Sequence, residues 1–395
     1  MIRSTHARRP AVFTRRTWIE TAARMGLAAT VSHSLPLDLL AQATDKDPRL
    51  ITRSVRPPDF ETPVELLDDF ITPVAAFFVR NHMLPPAVDK GSWTLAIDGE
   101  VASPETFSLA DLRRMPATTV TATIECAGNG RAFFEPPVAG IQWGRGAVGT
   151  ARWTGVRVVD LLRRAGIRRD ATHVWMAGGD RPMGAQPAFV RQLPIAKALD
   201  VDTLVAHSMN GEPLPLLHGS PFRVVVPAWE GAYSVKWLNR LTAATREHDG
   251  FWVTGSYRYP TKRVAPGSVV AAQDMAPVSG LVVKSLITQP LEGAVLAPGR
   301  VTVAGFAWAG EYDITRVDIS VDGGASWQSA RLTGERAKHA WRRFERSVQL
   351  TRPEAYALLS RATDSRGRTQ PVLPAWNPAG YLWNAPDVVR VEVRS

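Results

Sequence analysis

The sequence predicts an α+β protein in two parts: a mixed α/β domain over residues 60–265, then an immunoglobulin-like β-sandwich over residues 266–395. Thirty prolines and thirty glycines in 395 residues favour loops and sheets over a helical bundle. A chain of that length also exceeds the roughly 250–300 residues at which a single core stops growing. The third observation is a change of pattern near Ala265. Before it, strand-like and helix-like stretches alternate; after it, short strand-like runs follow one another between turns.

Residues 1–43 carry six arginines against Glu20 and Asp38, so 6 − 2 = +4 of the net charge of +10 resides there. Thr14-Arg15-Arg16-Thr17-Trp18-Ile19, a mildly apolar stretch to about Leu40, and Ala41-Gln42-Ala43 resemble a twin-arginine export signal with its cleavage site. That route moves folded proteins, so it predicts a periplasmic protein that collects a cofactor before export. Residues 44–59 are polar and proline-containing, and read as a linker or surface arm.

Residues 93–99 alternate and end in Asp98-Gly99, a strand entering a turn. Ser108, three residues before Asp111, marks a helix start. Residues 118–124 are rich in β-branched side chains and read as a strand. It stops at Glu125-Cys126-Ala127-Gly128-Asn129-Gly130, where the glycines require a loop. Thr154 is expected to cap a helix over 156–165 that Gly166 ends. Residues 173–176 and 222–226 read as further strands, the second one buried.

In the second part, strands are expected at 282–287, 300–307, 316–321, 327–332, 357–363 and 388–393, with Asp322-Gly323-Gly324 as a hairpin turn. No stretch approaches the roughly 18 uninterrupted apolar residues of a membrane span. The charge outside the leader is spread without a Lys/Arg block, which argues against nucleic-acid binding. The lone cysteine, Cys126, excludes an internal disulfide, a zinc finger and covalent haem attachment. Composition alone reads such a thiol as a buried, inert core residue.

Several segments together resemble the sulfite oxidase family of molybdopterin enzymes. In order they are Phe77-Phe78-Val79-Arg80-Asn81-His82, Cys126-Ala127-Gly128-Asn129-Gly130-Arg131, and Gly146-Ala147-Val148-Gly149-Thr150-Ala151-Arg152-Trp153. Then follow Met209-Asn210-Gly211-Glu212-Pro213-Leu214-Pro215, His218-Gly219-Ser220-Pro221-Phe222-Arg223, Ser234-Val235-Lys236-Trp237-Leu238, Gln370-Pro371 and Trp376-Asn377. The resemblance spans about residues 60–395 and implies that the sandwich is a dimerisation domain, hence a homodimer.

It further implies a molybdenum–molybdopterin cofactor with Cys126 as the metal's thiolate ligand, soft sulfur suiting such a redox centre. Val79, Arg80, Asn81, His82, Asp180, His218, Arg223, Ser234, Val235 and Lys236 are the implied cofactor-binding residues. Arg and Lys among them suit the pterin's phosphate. Arg80 and Arg131 are implied on the substrate side, with Arg152 and His207 as further candidates. Asp180 could instead order its Gly-Gly turn, and Arg152 could pair with a nearby carboxylate. The implied reaction is oxidation of sulfite, a small oxyanion, to sulfate by oxygen-atom transfer. Electrons would leave to a separate acceptor, a c-type cytochrome by preference, because no haem segment is fused to the chain.

Two departures bear on the substrate. Animal and plant members have Ala-Tyr-x-Met-Asn-Gly where this chain has Ala206-His207-Ser208-Met209-Asn210-Gly211. They also have Trp-Asn-Leu-Arg-Gly where Trp376-Asn377-Pro378-Ala379-Gly380 stands here, so one sulfite-binding cation is missing. These keep a sulfane dehydrogenase, or a sulfoxide reductase on the same fold, in view.

Overall fold

A computed structural model describes residues 45–395. The expected export leader lies outside the described residues. Ile51–Val55 and Pro58–Glu61 pair as an antiparallel ribbon, and Phe60 bridges onward to Val79. The segment expected to be a surface arm therefore enters the domain. Asp59 and Glu61 are buried, and the Glu61 carboxylate accepts from the backbone N–H groups of Gly144 and Gly146 at 2.9 Å each. A polar composition conceals such a segment, because its buried groups satisfy loop amides rather than fill a core.

The first part holds two five-stranded sheets. One runs Glu212–Pro213, Leu204–Met209, Val148–Arg157, Thr118–Glu125, with Arg223–Val225 also pairing to Leu204–Met209. The other runs Glu105–Ser108, Thr94–Gly99, Leu238–Ala244, His173–Gly178, Val190–Pro194. The helix Leu109–Arg114 starts as expected: Asp111 N–H donates to Ser108 Oγ at 3.1 Å and Ser108 N–H to Asp111 Oδ2 at 2.8 Å. The next helix is shorter than expected, Val158–Arg164. Thr154 does not cap it. Its strand pairs on both sides, and its hydroxyl meets that of Thr119 at 2.8 Å, so ladder bonds hold the chain extended to Arg157.

Arg258–Pro260 pairs with Met275–Pro277, so the chain doubles back before the sandwich begins at Lys284–Gln289. One sandwich sheet runs Lys284–Gln289, Gly299–Trp308, Arg342–Leu350, Arg331–Thr333. The other runs Val295–Leu296, Asp387–Val393, Ala355–Asp364, Ile314–Ser320, Gln328–Ser329. Val303, Val317, Phe344, Leu358 and Val389 fill the space between them. The strand expected at 327–332 divides, Gln328–Ser329 and Arg331–Thr333 joining opposite sheets. Arg342–Leu350 is a strand that the sequence pattern does not announce: its outward residues are Arg343, Glu345, Ser347 and Gln349, and Phe344, Val348 and Leu350 alone mark the buried face.

Leu67 and Val148 from the first part pack with Leu281, Leu286, Phe306, Trp308 and Trp341 in one buried cluster. Burying each large side chain there contributes about 1.5–3 kcal/mol. Thr123 N–H also donates to the His339 carbonyl at 2.9 Å, and Trp341 N–H to Thr123 Oγ1 at 2.8 Å. The sandwich is thereby fastened to the strand that leads into Cys126.

Candidate cofactor and substrate site

Thr118–Glu125 delivers Cys126 to the edge of a cleft of about 700 Å³, partly open to solvent. Cys126 N–H donates to the Ala147 carbonyl at 2.9 Å and Asn129 N–H to the Cys126 carbonyl at 2.8 Å, so the loop is tight. Gly130 takes the left-handed conformation, φ +91°, that the turn needs. The thiol is a free cysteine lining the cleft. Burial pushes its pKa up while the cations Arg80 and Arg131 oppose the rise.

The residue before it is fixed from the sandwich. Glu125 Oε1 accepts from Lys284 Nζ and Asn129 Nδ2, and Oε2 from Trp308 Nε1, each at 2.8 Å. Lys284 also donates to the Asn129 carbonyl at 3.0 Å, and Asn129 Oδ1 accepts from Ala147 N–H at 3.1 Å. The second domain thus supplies a buried ion pair that holds the Cys126 loop.

The same cleft is lined by His218, Arg223, Ser234, Val235 and Lys236. Arg223 donates to the carbonyls of His218 (3.1 Å) and Ser234 (2.7 Å), and its guanidinium lies 5.0 Å from the Trp153 ring. Ser234 Oγ accepts from Val226 N–H at 3.1 Å. Lys236 donates to Asn81 Oδ1 and to the Leu217 carbonyl. No carboxylate lies within ion-pair distance of Arg223 or Lys236 among the described residues. Burial alone lowers Arg223 to about 9, and burial together with neighbouring Arg223 pulls Lys236 well below its ordinary value despite the more distant carboxylates of Asp59 and Asp180. Two buried cations without an ion-paired carboxylate are costly, and a dianionic group beside them offsets that cost.

Val79, Arg80, Asn81 and His82 form the adjoining wall. Arg80 pairs with Asp59 at 3.1 Å, and Asp59 also accepts from Asn81 N–H at 2.6 Å. His82 Nε2 touches the Tyr257 hydroxyl, and its ring stacks on Phe189 at 4.6 Å. Burial and the surrounding cations hold His82 well below its usual pKa, so it is neutral. Asp180 also lines the cleft, and burial raises it to about 6.

Residues 82–252 match the oxidoreductase molybdopterin binding domain and residues 276–394 the Mo-co oxidoreductase dimerisation domain. Sulfite oxidase of Gallus gallus is 38% identical over 364 residues, covering 88% of this chain and 79% of the relative. The chain belongs to the sulfite oxidase family. The family's Arabidopsis thaliana enzyme is 32% identical over 374 residues, 93% of its own length. Mitochondrial sulfite oxidase of Mus musculus is 39% identical, and the chain spans 66% of that relative's length. Among solved structures, the sulfane dehydrogenase SoxCD of Paracoccus pantotrophus superposes with a TM-score of 0.76 at 29% identity, covering 93% of both chains.

The residues present fit the family's molybdopterin cofactor, on the strength of the buried cations that lack an anion. Arg223, Lys236 and His218 would hold its phosphate, Asp180 and Asn81 supply polar groups along the cleft, and the Cys126 sulfur would ligate molybdenum. Arg131 stands beside the Cys126 loop. It is 8% exposed, donates to the Ala379 and Ile141 carbonyls at 3.0 and 2.9 Å, and lies 5.3 Å from the Tyr381 ring. Glycines surround it: a Cβ on Gly128 would approach its guanidinium to 2.6 Å, and one on Gly140 to 3.0 Å.

Three sequence candidates, Arg131, Arg152 and His207, do not line the cleft. Arg152 is half-exposed and pairs with Glu335 of the sandwich at 3.0 Å. His207 does not line the cleft. Its neighbour Ala206 packs in the cluster that contains Cys126, and alternation along Leu204–Met209 turns His207 to the other face, near Arg113. The tyrosine missed in the sequence is Tyr257, held in the left-handed region at φ 54°, a conformation that a bulky residue rarely adopts. It stacks on Tyr381 at 5.4 Å. Nothing adjacent in sequence marks either tyrosine, although a strained aromatic after a short helix is a signal once φ is known.

Proposed function

We propose that this chain is a molybdenum-dependent sulfite dehydrogenase of the periplasm, exported folded by the twin-arginine route. We further infer a homodimer without haem that passes electrons to a separate c-type cytochrome. The observation that carries the reading is a cysteine thiol in a cleft that is also lined by buried cations without an ion-paired carboxylate. Bound molybdenum supplies two-electron oxygen-atom transfer to sulfite.

The protein's part is position and charge. Arg131 has no carboxylate partner among the described residues and acts on the site from behind the Cys126 loop rather than from the cleft wall; Arg80, which lines the cleft, is paired with Asp59. Neutral His82 and the Tyr257 hydroxyl give an uncharged hydrogen-bonding pair beside them. Aromatic rings at Phe189, Trp252 and Tyr381 limit water around that pair.

Sulfite-dependent reduction of ferricyanide, expressed per molybdenum atom, tests the reading: a fast, saturable rate that Cys126→Ser abolishes supports it. A negligible rate from molybdenum-loaded protein refutes it and favours a second reading, a sulfane dehydrogenase. That reading draws on Ala379, which offers Arg131 only a carbonyl, and on the likeness to SoxCD. Export is checked by fractionating cells that make the full chain or its Arg15→Lys/Arg16→Lys form, and sedimentation of the mature protein checks the dimer.

A further inference from the structure

We propose that Lys46 is a positioning residue for the cofactor's anionic end: it fixes the tautomer of His218, so the N-terminal segment latches the cleft. This deepens the molybdopterin reading and rests on it. Lys46 Nζ lies 2.7 Å from the Val74 carbonyl, 3.1 Å from the Phe77 carbonyl and 2.5 Å from His218 Nε2. An ammonium has three donors and no acceptor. All three are spent, so Nε2 accepts and the neutral imidazole carries its proton on Nδ1. With the reverse tautomer, Nε2–H and the ammonium would face each other and compete for the Val74 carbonyl.

The consequence is chemical. His218 lines the cleft beside Arg223 and Lys236, where an N–H donor suits an oxyanion and a bare ring nitrogen would repel it. His218 stays neutral because burial and the cations Lys46, Lys236 and Arg223 oppose its protonation and outweigh a hydrogen bond to the Val74 carbonyl. The Phe77 ring meets it edge-on at 5.5 Å and fixes its plane. Lys46 arrives through a docked segment: Asp47 N–H donates to the Ala75 carbonyl at 3.0 Å, and Leu50 is buried. No carboxylate pairs with Lys46 among the described residues, and burial lowers it to about 7. An anion held at this end of the cleft favours its charged form.

The test uses loaded protein with Lys46→Met and Lys46→Arg. Molybdopterin release is followed by fluorescence of the oxidised pterin, and the His218 tautomer by nitrogen NMR of histidine-labelled protein. Lys46→Met is expected to release the pterin about tenfold faster, the scale of one lost charge-assisted hydrogen bond. It is also expected to move the His218 proton from Nδ1 to Nε2. Lys46→Arg should restore both readouts. Release within about twofold of the parent, or an unchanged tautomer, overturns the proposal. Should Lys46→Met fail to fold, Lys46→Gln carries the same two readouts. Parent protein that purifies without molybdopterin would sink the functional reading, while the tautomer measurement would still judge the role of Lys46.

Discussion

Lys284→Met removes the sandwich's cation from the carboxylate that precedes Cys126. The pair is dry, with side-chain exposures of 10% and 6% at 2.8 Å. Removing one partner of a buried pair costs about 3–5 kcal/mol, because the remaining charge stays buried. Two donors to Glu125 survive, Asn129 Nδ2 and Trp308 Nε1, and methionine keeps most of the apolar stem in place. The lower end, about 3 kcal/mol, is therefore expected. Adding Glu125→Gln discharges the orphaned carboxylate and should recover most of that loss, leaving a deficit near 1 kcal/mol. Denaturant unfolding of the apoprotein, followed by tryptophan fluorescence, reads Lys284→Met, Glu125→Gln and the double variant. Molybdenum content should follow the same order, since the clamp holds the Cys126 loop. A single variant within about 1 kcal/mol of the parent, or a double variant as unstable as the sum of its parts, would refute the reasoning.

Four further outcomes follow from the same geometry. Arg152→Ala should leave the KM for sulfite unchanged and shift stability by under about 1 kcal/mol, as its pair with Glu335 is half-exposed; a raised KM would return it to the site. His207→Gln should likewise leave the pH profile of sulfite affinity between pH 6 and 9 as it is, and a flattened profile would contradict its placement. Gly128→Ala pushes a methyl into the Arg131 guanidinium at 2.6 Å, so the KM for sulfite should rise at least about tenfold with the fold intact. Asp180 in the apoprotein keeps its proton to about pH 6, against 3.8 for the ordinary group. Folding then takes up a proton between those values, and stability declines as pH rises through about 4 to 6, by up to about 3 kcal/mol relative to Asp180→Asn. Parallel stability curves for parent and variant would refute that.

Local chemistry made much of the site legible in the sequence. A β-branched run broken by Gly128 and Gly130 places Cys126 at a strand end without any tertiary information. Ser108 and Asp111 cap their helix by a rule that spans three residues. The same kind of evidence misled at Thr154, where a good capping residue was taken up by ladders to strands on either side. It was silent at Arg342–Leu350, whose charged outward face breaks the apolar run that would announce a strand.

By itself the sequence determined which atoms are available: one thiol, the cations of the 218–236 region and Arg131, and the order of the strands that carry them. The tertiary structure decided which of those atoms meet. In a strand a one-residue step reverses the face, so Ala206 packs with the Cys126 cluster while His207 turns to Arg113. Lys46 and His218, His82 and Tyr257, and Glu125 and Lys284 meet across more than 150 residues of chain. Such contacts depend on register and on domain packing, neither of which leaves a trace in the residues nearby.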